Sequence, residues 1–137
     1  MKKYLLLFLL ASFSVEAQIV NIPDANFKAK LLEASPNNQI ALGLTYQWIK
    51  IDENDDGEIQ ESEANQVLRL TVPNSNISSL IGIQSFTNLN VLAADYNNLT
   101  EVDFSGLEKN INIQITNNQI NSDGLVGLTS NIARLHL

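Results

Sequence analysis

An acidic stretch at residues 52–63, Asp-Glu-Asn-Asp-Asp-Gly-Glu-Ile-Gln-Glu-Ser-Glu, holds the residues best suited to chemistry. Seven of its twelve residues are Asp or Glu, against fifteen in the whole chain. Oxygen-bearing side chains alternate at Asp52, Asn54 and Asp56, and Gly57 then allows a sharp turn. Without a cation these carboxylates would repel one another. Alternating oxygens around a turn suit a hard cation, which takes six to eight oxygen ligands at about 2.3–2.6 Å.

The spacing fits the calcium-loop pattern D-x-[DN]-x-[DN]-G-x5-E along its whole length. Gln60 would add an oxygen directly or through a water molecule, and Ile59 would anchor the loop in a core. The alternative is a solvated acidic turn that only promotes solubility. The predicted Ca²⁺ ligands are the side chains of Asp52, Asn54 and Asp56, the backbone carbonyl of Glu58 and both carboxylate oxygens of Glu63.

The stretch resembles the calcium site of the EF-hand family, over roughly residues 46–68. The resemblance implies a helix on each side of the loop, with apolar residues such as Trp48 before it and Ala64, Val67 and Leu68 after it. EF-hands normally come in pairs, and this sequence contains one. A single site with neutral amides among its ligands should bind weakly, at roughly 10⁻⁴ to 10⁻³ M or slightly tighter, as extracellular modules do.

The segment before the loop predicts two helices. Asp24 is placed to cap a helix over residues 25–34, which a Ser-Pro-Asn-Asn turn ends. Phe27, Leu31 and Leu32 would share one apolar face of it. Residues 39–51 are mostly apolar and predict a second helix that leads into the acidic stretch.

The second half of the chain repeats. Leu70, Leu92, Ile113 and Leu135 occupy the same place in successive copies, at shifts of 22, 21 and 22 residues. The common pattern is L-x-x-L-x-L-x-x-N-x-L. Each unit predicts one short strand and one return turn, and its apolar face is buried only when neighbouring units stack.

The Asn of the repeat is expected to turn inward at the bend, where its amide can satisfy backbone groups that the turn leaves unpaired. Asn97 and Asn118 occupy this place, whereas the first copy has Ser75. Residues 67–137 therefore resemble the short bacterial leucine-rich repeats, and residues 22–27 look like the helical N-terminal cap of the internalin-type repeat proteins.

The resemblance implies an α+β fold in which a helical N-terminal cap with one EF-hand-like loop precedes a short solenoid of parallel strands with a right-handed course. The expected division is a signal peptide at 1–17, the cap at 18–66 and about three and a half repeats at 67–137. The chain stops at Leu137 within a strand motif. A solenoid needs a cap at each end, so we expect a fragment, a truncated product or a last repeat that pairs with something.

The first seventeen residues have the layout of a secretory signal peptide. Lys2 and Lys3 precede a mostly apolar run from Tyr4 to Phe13, and Ala17 is suited to cleavage. A span needs about twenty apolar residues, so we expect no transmembrane segment after signal removal and an extracellular, cell-surface or periplasmic location. The alternative is an ordinary N-terminal helix. The resemblance suggests export from a Gram-negative bacterium.

Charge and composition exclude several classes of partner. Without residues 1–17, the 8 basic and 15 acidic residues become 6 and 14, a net charge of −8. A chain this acidic has no phosphate-neutralising patch, so nucleic acid is not an expected partner. Cysteine is absent, so an exported domain must rely on a core, a metal or a regular repeat instead of disulfides.

Side chains between the inward-pointing residues of the repeats would form a concave binding face. We expect a protein or a cell-surface glycan as the partner, with a structural spacer that has no specific ligand as the alternative. The candidate ligand surface comprises Arg69, Thr71, Val91, Ala93, Asp95, Asn112, Gln114, Thr116, Arg134 and His136.

No catalytic set can be assembled from these residue types, so we expect no enzyme activity. His136 is the single histidine. Asp95, Asp103 and Asp123 could pair as acid and base in a secreted sugar hydrolase. They fall in repeat loops or at strand edges, however, where solvated charge is the ordinary interpretation.

Overall fold

The computed structural model describes residues 17–107, 111–127 and 132–137. The predicted signal peptide lies outside these ranges except for Ala17. No helix within them has the length and apolar character to cross a membrane. Their elements are the helices α1 (Ala25–Leu32) and α2 (Glu61–Ala64), the 3-10 turns Ile83–Ser85 and Ser122–Gly124, and the strands β1 (Ala41–Gly43), β2 (Val67–Thr71), β3 (Val91–Ala93), β4 (Val102–Asp103), β5 (Ile111–Gln114), β6 (Leu125–Val126) and β7 (Ile132–His136).

The main sheet has five strands in the order β1-β2-β3-β5-β7. β1 runs antiparallel to β2, and every other neighbouring pair is parallel. The register pairs Leu70 with Leu92, Leu92 with Ile113 and Ile113 with Leu135, so the predicted spacing of the repeat is confirmed. The return segments form a second parallel pair, β4-β6.

Burial follows the repeat. Leu70, Leu92 and Ile113 are fully buried, and each such side chain contributes roughly 1.5–3 kcal/mol relative to exposure. Successive side chains of a strand point to opposite faces. The strand residues directly before and after each of these three therefore point to the other side of the sheet. We call that side the outer face.

Two asparagines hold the repeat turns together, as predicted. The Asn97 side-chain oxygen accepts hydrogen bonds from the backbone N–H groups of Ser75 (2.9 Å) and Ile77 (3.1 Å). Its amide nitrogen donates to the carbonyls of Val72 (2.9 Å) and Ala94 (3.0 Å). Asn118 repeats this one unit later, donating to Ala94 and Ile115 and accepting from Leu99. Each amide joins its own turn to the preceding one.

Helix α1 begins where its cap was predicted. Asp24 Oδ1 accepts a hydrogen bond from the N–H of Phe27 (2.9 Å), and Phe27 and Leu31 are fully buried. Asp24 Oδ2 accepts from the N–H groups of Ser78 (2.8 Å) and Ser79 (3.0 Å) in the first return segment. One carboxylate thus caps the helix and fastens it to the first repeat.

The prediction of a helix over residues 39–51 is wrong. Within this segment β1 pairs with β2, and the chain reverses so that the N–H of Ile49 donates to the carbonyl of Ala41 (2.9 Å). A Cβ on Gly43 would lie 2.8 Å from Ile49 Cγ2, so the two strands of the reversal approach closely. Pairing with β2 satisfies backbone groups along a sheet edge that a helix would leave open.

The helix predicted to leave the acidic loop is a single turn. α2 ends at Ala64, and Val67 and Leu68, which were expected to continue it, already belong to β2. The acidic loop therefore lies between the β1 reversal and one helical turn, and not between two long helices.

Candidate metal centre and outer face

Asp52 opens the acidic loop with a buried side chain. The residue is only 6% exposed. Its Oδ1 accepts a hydrogen bond from the N–H of Asp56 (3.2 Å), and its Oδ2 accepts from the N–H of Gly57 (3.1 Å). Gly57 has a φ of +77°, a conformation that side chains with a Cβ disfavour. The loop therefore folds back over Asp52 through the sharp turn that the spacing predicted.

Glu63, at the other end, is also buried, with 8% of the residue exposed. Its Oε1 accepts a hydrogen bond from the N–H of Glu53 (2.8 Å), and its Oε2 accepts from the N–H of Gln60 (3.0 Å). Glu63 therefore joins the start of the loop to the first turn of α2. Each carboxylate oxygen keeps a second lone pair for another partner.

Asp56 occupies the middle of the loop and is exposed. Its Oδ2 accepts hydrogen bonds from the side-chain amides of Asn54 (2.8 Å) and Gln60 (2.7 Å). The hydrogen bond from the backbone N–H of Glu58 holds the pKa of the Asp56 carboxyl below its usual value; desolvation by neighbouring atoms opposes this, while the two amides and Lys28 add to it. Asp56 is therefore a carboxylate at neutral pH.

Lysines neutralise acidic residues at the edge of the loop. Lys28 on α1 forms an ion pair with Glu58 (2.7 Å), and Lys50 forms one with Asp55. The Glu58 side chain is thus engaged outside the loop, as expected if only its carbonyl were a ligand. Within the described ranges, neither Asp52 nor Glu63 has an ion pair.

The side chains of the loop do not form a finished metal cluster. In the part of the chain that the structure describes, no group of three or more His, Cys, Asp or Glu is placed to hold a metal ion. Two of the five predicted ligand residues, Asp52 and Glu63, are buried, and Asn54 presents its amide nitrogen to Asp56. The predicted residues thus share one loop, and their carboxylates accept hydrogen bonds from backbone and side-chain N–H groups of that loop.

The back of the loop is anchored as predicted by Ile59, which is fully buried. A feature that sequence reasoning missed lies beside it. The N–H of Val20 donates to the carbonyl of Ile59 (2.8 Å), and the N–H of Glu61 donates to the carbonyl of Gln18 (2.9 Å). Apart from the apolar residues Ile19 and Val20, no feature of the sequence indicates that residues 18–20 pair with the loop.

A cavity of about 340 Å³ lies next to the loop. Trp48, Ile49 and Leu44 line it together with Glu53 and Glu63. Trp48 is the single tryptophan of the chain, so its fluorescence reports on a cavity that one of the predicted ligands lines.

The candidate ligand residues form three rows on the outer face. In strand register, the first row is Arg69, Val91, Asn112 and Arg134, and the second is Thr71, Ala93, Gln114 and His136. Asp95 and Thr116 form the third row, just beyond the strands. There Asp95 Oδ1 accepts hydrogen bonds from the N–H (2.8 Å) and the hydroxyl (2.7 Å) of Thr116.

The outer face differs in charge from the rest of the protein. Within the described ranges, Lys28, Lys30 and Lys50 are each paired with an acidic residue, whereas Arg69 and Arg134 form no ion pair. These two arginines lie three strands apart, about 14 Å at the usual strand spacing. A chain of net charge −7 thus presents two uncompensated cations in one row.

Tyr96 is a further outer-face residue that the sequence did not indicate. It is 58% exposed and lines a cavity of about 270 Å³ with Asp95, Gln114, Thr116 and His136. Strict alternation after Asp95 would turn Tyr96 toward the core. A φ of +56° turns it outward instead.

The three aspartates considered for hydrolysis lie at three different places in the fold. Asp95 follows β3 of the five-stranded sheet, whereas Asp103 lies on β4 of the other sheet. Hydrogen bonds from the side chain and the backbone N–H of Ser105 hold the pKa of Asp103 below its usual value. That shift favours the carboxylate and works against a general acid. Asp123 lies in a 3-10 turn further along the chain.

No protein-family model matches this chain, and no curated protein matches it. Among solved structures it is similar to internalin C2 of Listeria monocytogenes, with a TM-score of 0.52 and 16% identity over 80% of this chain and 44% of that one. The CBM51-2 and INT domains of ZmpB from Clostridium perfringens match with a TM-score of 0.48 and 20% identity over 67% of this chain and 16% of that one. A structure of these domains with GlcNAc on CBM51-2 matches with a TM-score of 0.47.

The chain thus spans less than half the length of each of these proteins. The likeness to internalin C2, together with the repeat register, shows an internalin-like leucine-rich-repeat fold of mixed α+β type.

Proposed function

We propose that this chain is an exported, non-catalytic binding module whose N-terminal cap is stabilised by calcium and whose outer face binds a protein or surface glycan. Residues 1–17 would direct export. The cap would hold the first repeat in place, and the repeats would present the sheet. The outer face, with its uncompensated Arg69 and Arg134, favours a partner that carries carboxylates.

The observation that carries the calcium proposal is the burial of two carboxylates, Asp52 and Glu63, in one loop without an ion-pair partner among the described residues. Buried charges are paired or coordinate metals, because an isolated buried ion loses its hydration. Backbone N–H groups offset part of that cost at both residues. A divalent cation between them would offset the rest.

The remaining predicted ligands fit a cation after a small change. Asn54 and Gln60 now point amide nitrogens at Asp56. A half-turn of each terminal amide puts its oxygen where the nitrogen is, with no movement of the backbone, although Asn54 then loses the hydrogen bond that its Oδ1 accepts from the N–H of Asp56 (3.1 Å). The predicted ligand side chains would then all present oxygen, the ligand type that calcium prefers.

Bound calcium would act as a structural ion that neutralises the loop. Asp52 would hold it against the turn at Gly57, and Glu63 would join it to α2. Binding to the folded state alone stabilises a protein by RT ln(1 + [Ca]/Kd). At 1 mM calcium and a Kd of about 0.1 mM this is about 1.4 kcal/mol.

The test is thermal unfolding of residues 18–137 in excess chelator and in 1 mM calcium at constant ionic strength. The wild type should melt about 5 °C higher with calcium, from the stabilisation above and the usual enthalpy of a domain this size. Glu63→Gln removes a predicted ligand charge and should abolish that rise. Titration followed by Trp48 fluorescence should give the Kd.

Glu61→Gln is the matched control, since Glu61 lies in the same helical turn and outside the predicted ligand set. It removes the same charge from the same stretch and should keep the calcium-dependent rise. If the wild type shows no rise, or if Glu63→Gln keeps it, the loop is only an acidic turn.

A further inference from the structure

The first described residues of the chain run along the acidic loop. We call residues 18–22 the N-terminal segment. The carbonyl of Gln18 accepts a hydrogen bond from the N–H of Glu61 (2.9 Å), and the N–H of Val20 donates to the carbonyl of Ile59 (2.8 Å). Ile19 and Gln60 form an antiparallel bridge between them. The segment therefore fixes the loop backbone on both sides of Gln60, shortly before Glu63.

The other side of the N-terminal segment packs on the first repeat. Val20 is 5% exposed and Ile22 is 9% exposed. A Cβ added to Gly82 would lie 2.8 Å from the Asn21 carbonyl oxygen, 2.8 Å from Ile22 Cγ1 and 3.2 Å from Val20 Cγ1. The segment thus lies between the acidic loop and the return segment that begins the 3-10 turn Ile83–Ser85.

We propose that the N-terminal segment is the positioning strand of the calcium loop and connects that loop to the first repeat. The proposal rests on the proposed function of the loop. A loop held in its binding conformation before the ion arrives loses less conformational freedom on binding, and its affinity is higher. The segment does this through backbone hydrogen bonds, and Gly82 leaves the space that the segment needs.

The first test compares Val20→Pro with Val20→Ala. Proline keeps apolar bulk but removes the N–H that donates to Ile59. Alanine keeps the N–H and removes the side chain. Calcium affinity is measured by calorimetric titration well below the melting temperature of either variant, and the melting temperature in chelator is recorded separately. We expect calcium to bind Val20→Pro about ten-fold more weakly than Val20→Ala, because the loop backbone loses a hydrogen bond that holds it in its binding conformation before the ion arrives.

The second test reaches the loop from the first repeat, without substituting a residue of either the loop or the N-terminal segment. Gly82→Ala should weaken calcium binding several-fold, because the new Cβ displaces residues 20–22. Gly106→Ala is the matched control. Gly106 has a φ of +86° against +103° at Gly82, so both variants strain the backbone, but a Cβ at Gly106 meets only Gln84 Cβ at 3.7 Å.

The outcomes separate the two proposals. If the wild type binds no calcium, the proposed function fails and this inference fails with it. If the wild type binds calcium while Val20→Pro matches Val20→Ala and Gly82→Ala matches Gly106→Ala, the inference alone is overturned. A lower melting temperature in chelator with an unchanged Kd also overturns it, because the segment would then stabilise the fold without positioning the loop.

Discussion

Single buried polar groups determine the turns of this protein. Asn97, which is 6% exposed, is bonded through both atoms of its amide to two successive turns. Asp52 holds the acidic loop in a similar way, because its carboxylate accepts hydrogen bonds from two backbone N–H groups of that loop. Because these groups are buried, removing one leaves its backbone partners without a hydrogen bond from the protein. Their effect on stability therefore exceeds that of an exposed side chain of the same type.

At the residue scale, we predict that Asn97→Ala lowers the free energy of unfolding by roughly 2–4 kcal/mol, since several buried backbone groups lose their partners. Urea unfolding followed by circular dichroism measures this. Asn98→Ala is the control, because Asn98 is exposed and donates to Ile77 only through its backbone. Its effect should stay within about 0.5 kcal/mol. Equal effects of the two changes would contradict the inward role of Asn97.

At the scale of elements, α1 depends on one residue for its start and for its attachment. Asp24 caps the helix with Oδ1 and binds the first return segment with Oδ2. Asn26 adds a hydrogen bond from its side-chain nitrogen to the carbonyl of Asn76 (2.9 Å). The cap and the first repeat are therefore linked by polar contacts as well as by the buried face of α1.

We predict that Asp24→Ala lowers the free energy of unfolding by roughly 2–4 kcal/mol, with about 1 kcal/mol from the lost helix cap and the rest from the two bonds to Ser78 and Ser79. Asp24→Asn should cost less, because its oxygen can still accept from Phe27 while its amide nitrogen faces the two N–H donors. Urea unfolding of both variants separates capping from attachment. Equal losses would mean that the helix cap contributes nothing, and an Asp24→Asn variant as stable as the wild type would mean that the attachment contributes nothing.

At the scale of the whole molecule, charge is distributed unevenly. Acidic residues gather in the loop, and the lysines of the cap are paired with acidic neighbours. Arg69 and Arg134 stay unpaired among the described residues and share a row on the outer face. A ligand with carboxylates would meet a face that differs in sign from the rest of the surface.

We predict that immobilised alginate, a polymer of uronic acids, binds the protein more strongly than neutral dextran does, and less strongly as salt rises. The double change of Arg69→Glu and Arg134→Glu should abolish the difference between the two polymers. Lys30→Glu, which reverses a charge on α1, should preserve it. Surface plasmon resonance measures all three proteins. If the double variant binds alginate as strongly as the wild type does, the outer face is ruled out as the carboxylate-binding surface.

The sequence by itself determined the features that rest on local chemistry and on period. The register of Leu70, Leu92, Ile113 and Leu135 follows from spacing, because a stacked repeat buries the same position in every unit. The cap at Asp24 follows from the preference of its side chain for exposed N–H groups. The turn at Gly57 follows from a positive φ that glycine tolerates. Calcium binding by that loop stays a prediction.

Only the tertiary structure decided the features that depend on distant partners. Residues 39–51 are apolar enough for a helix, but β1 forms because β2 offers its open edge. The sequence assigns residues 18–22 to the helical cap without predicting a strand there, and their pairing with residues 59–61 appears only when the fold brings the two together. Tyr96 reaches the outer face through one backbone angle. Every residue except proline offers the same backbone donor and acceptor. The sequence therefore does not reveal which distant segments will pair through their backbones.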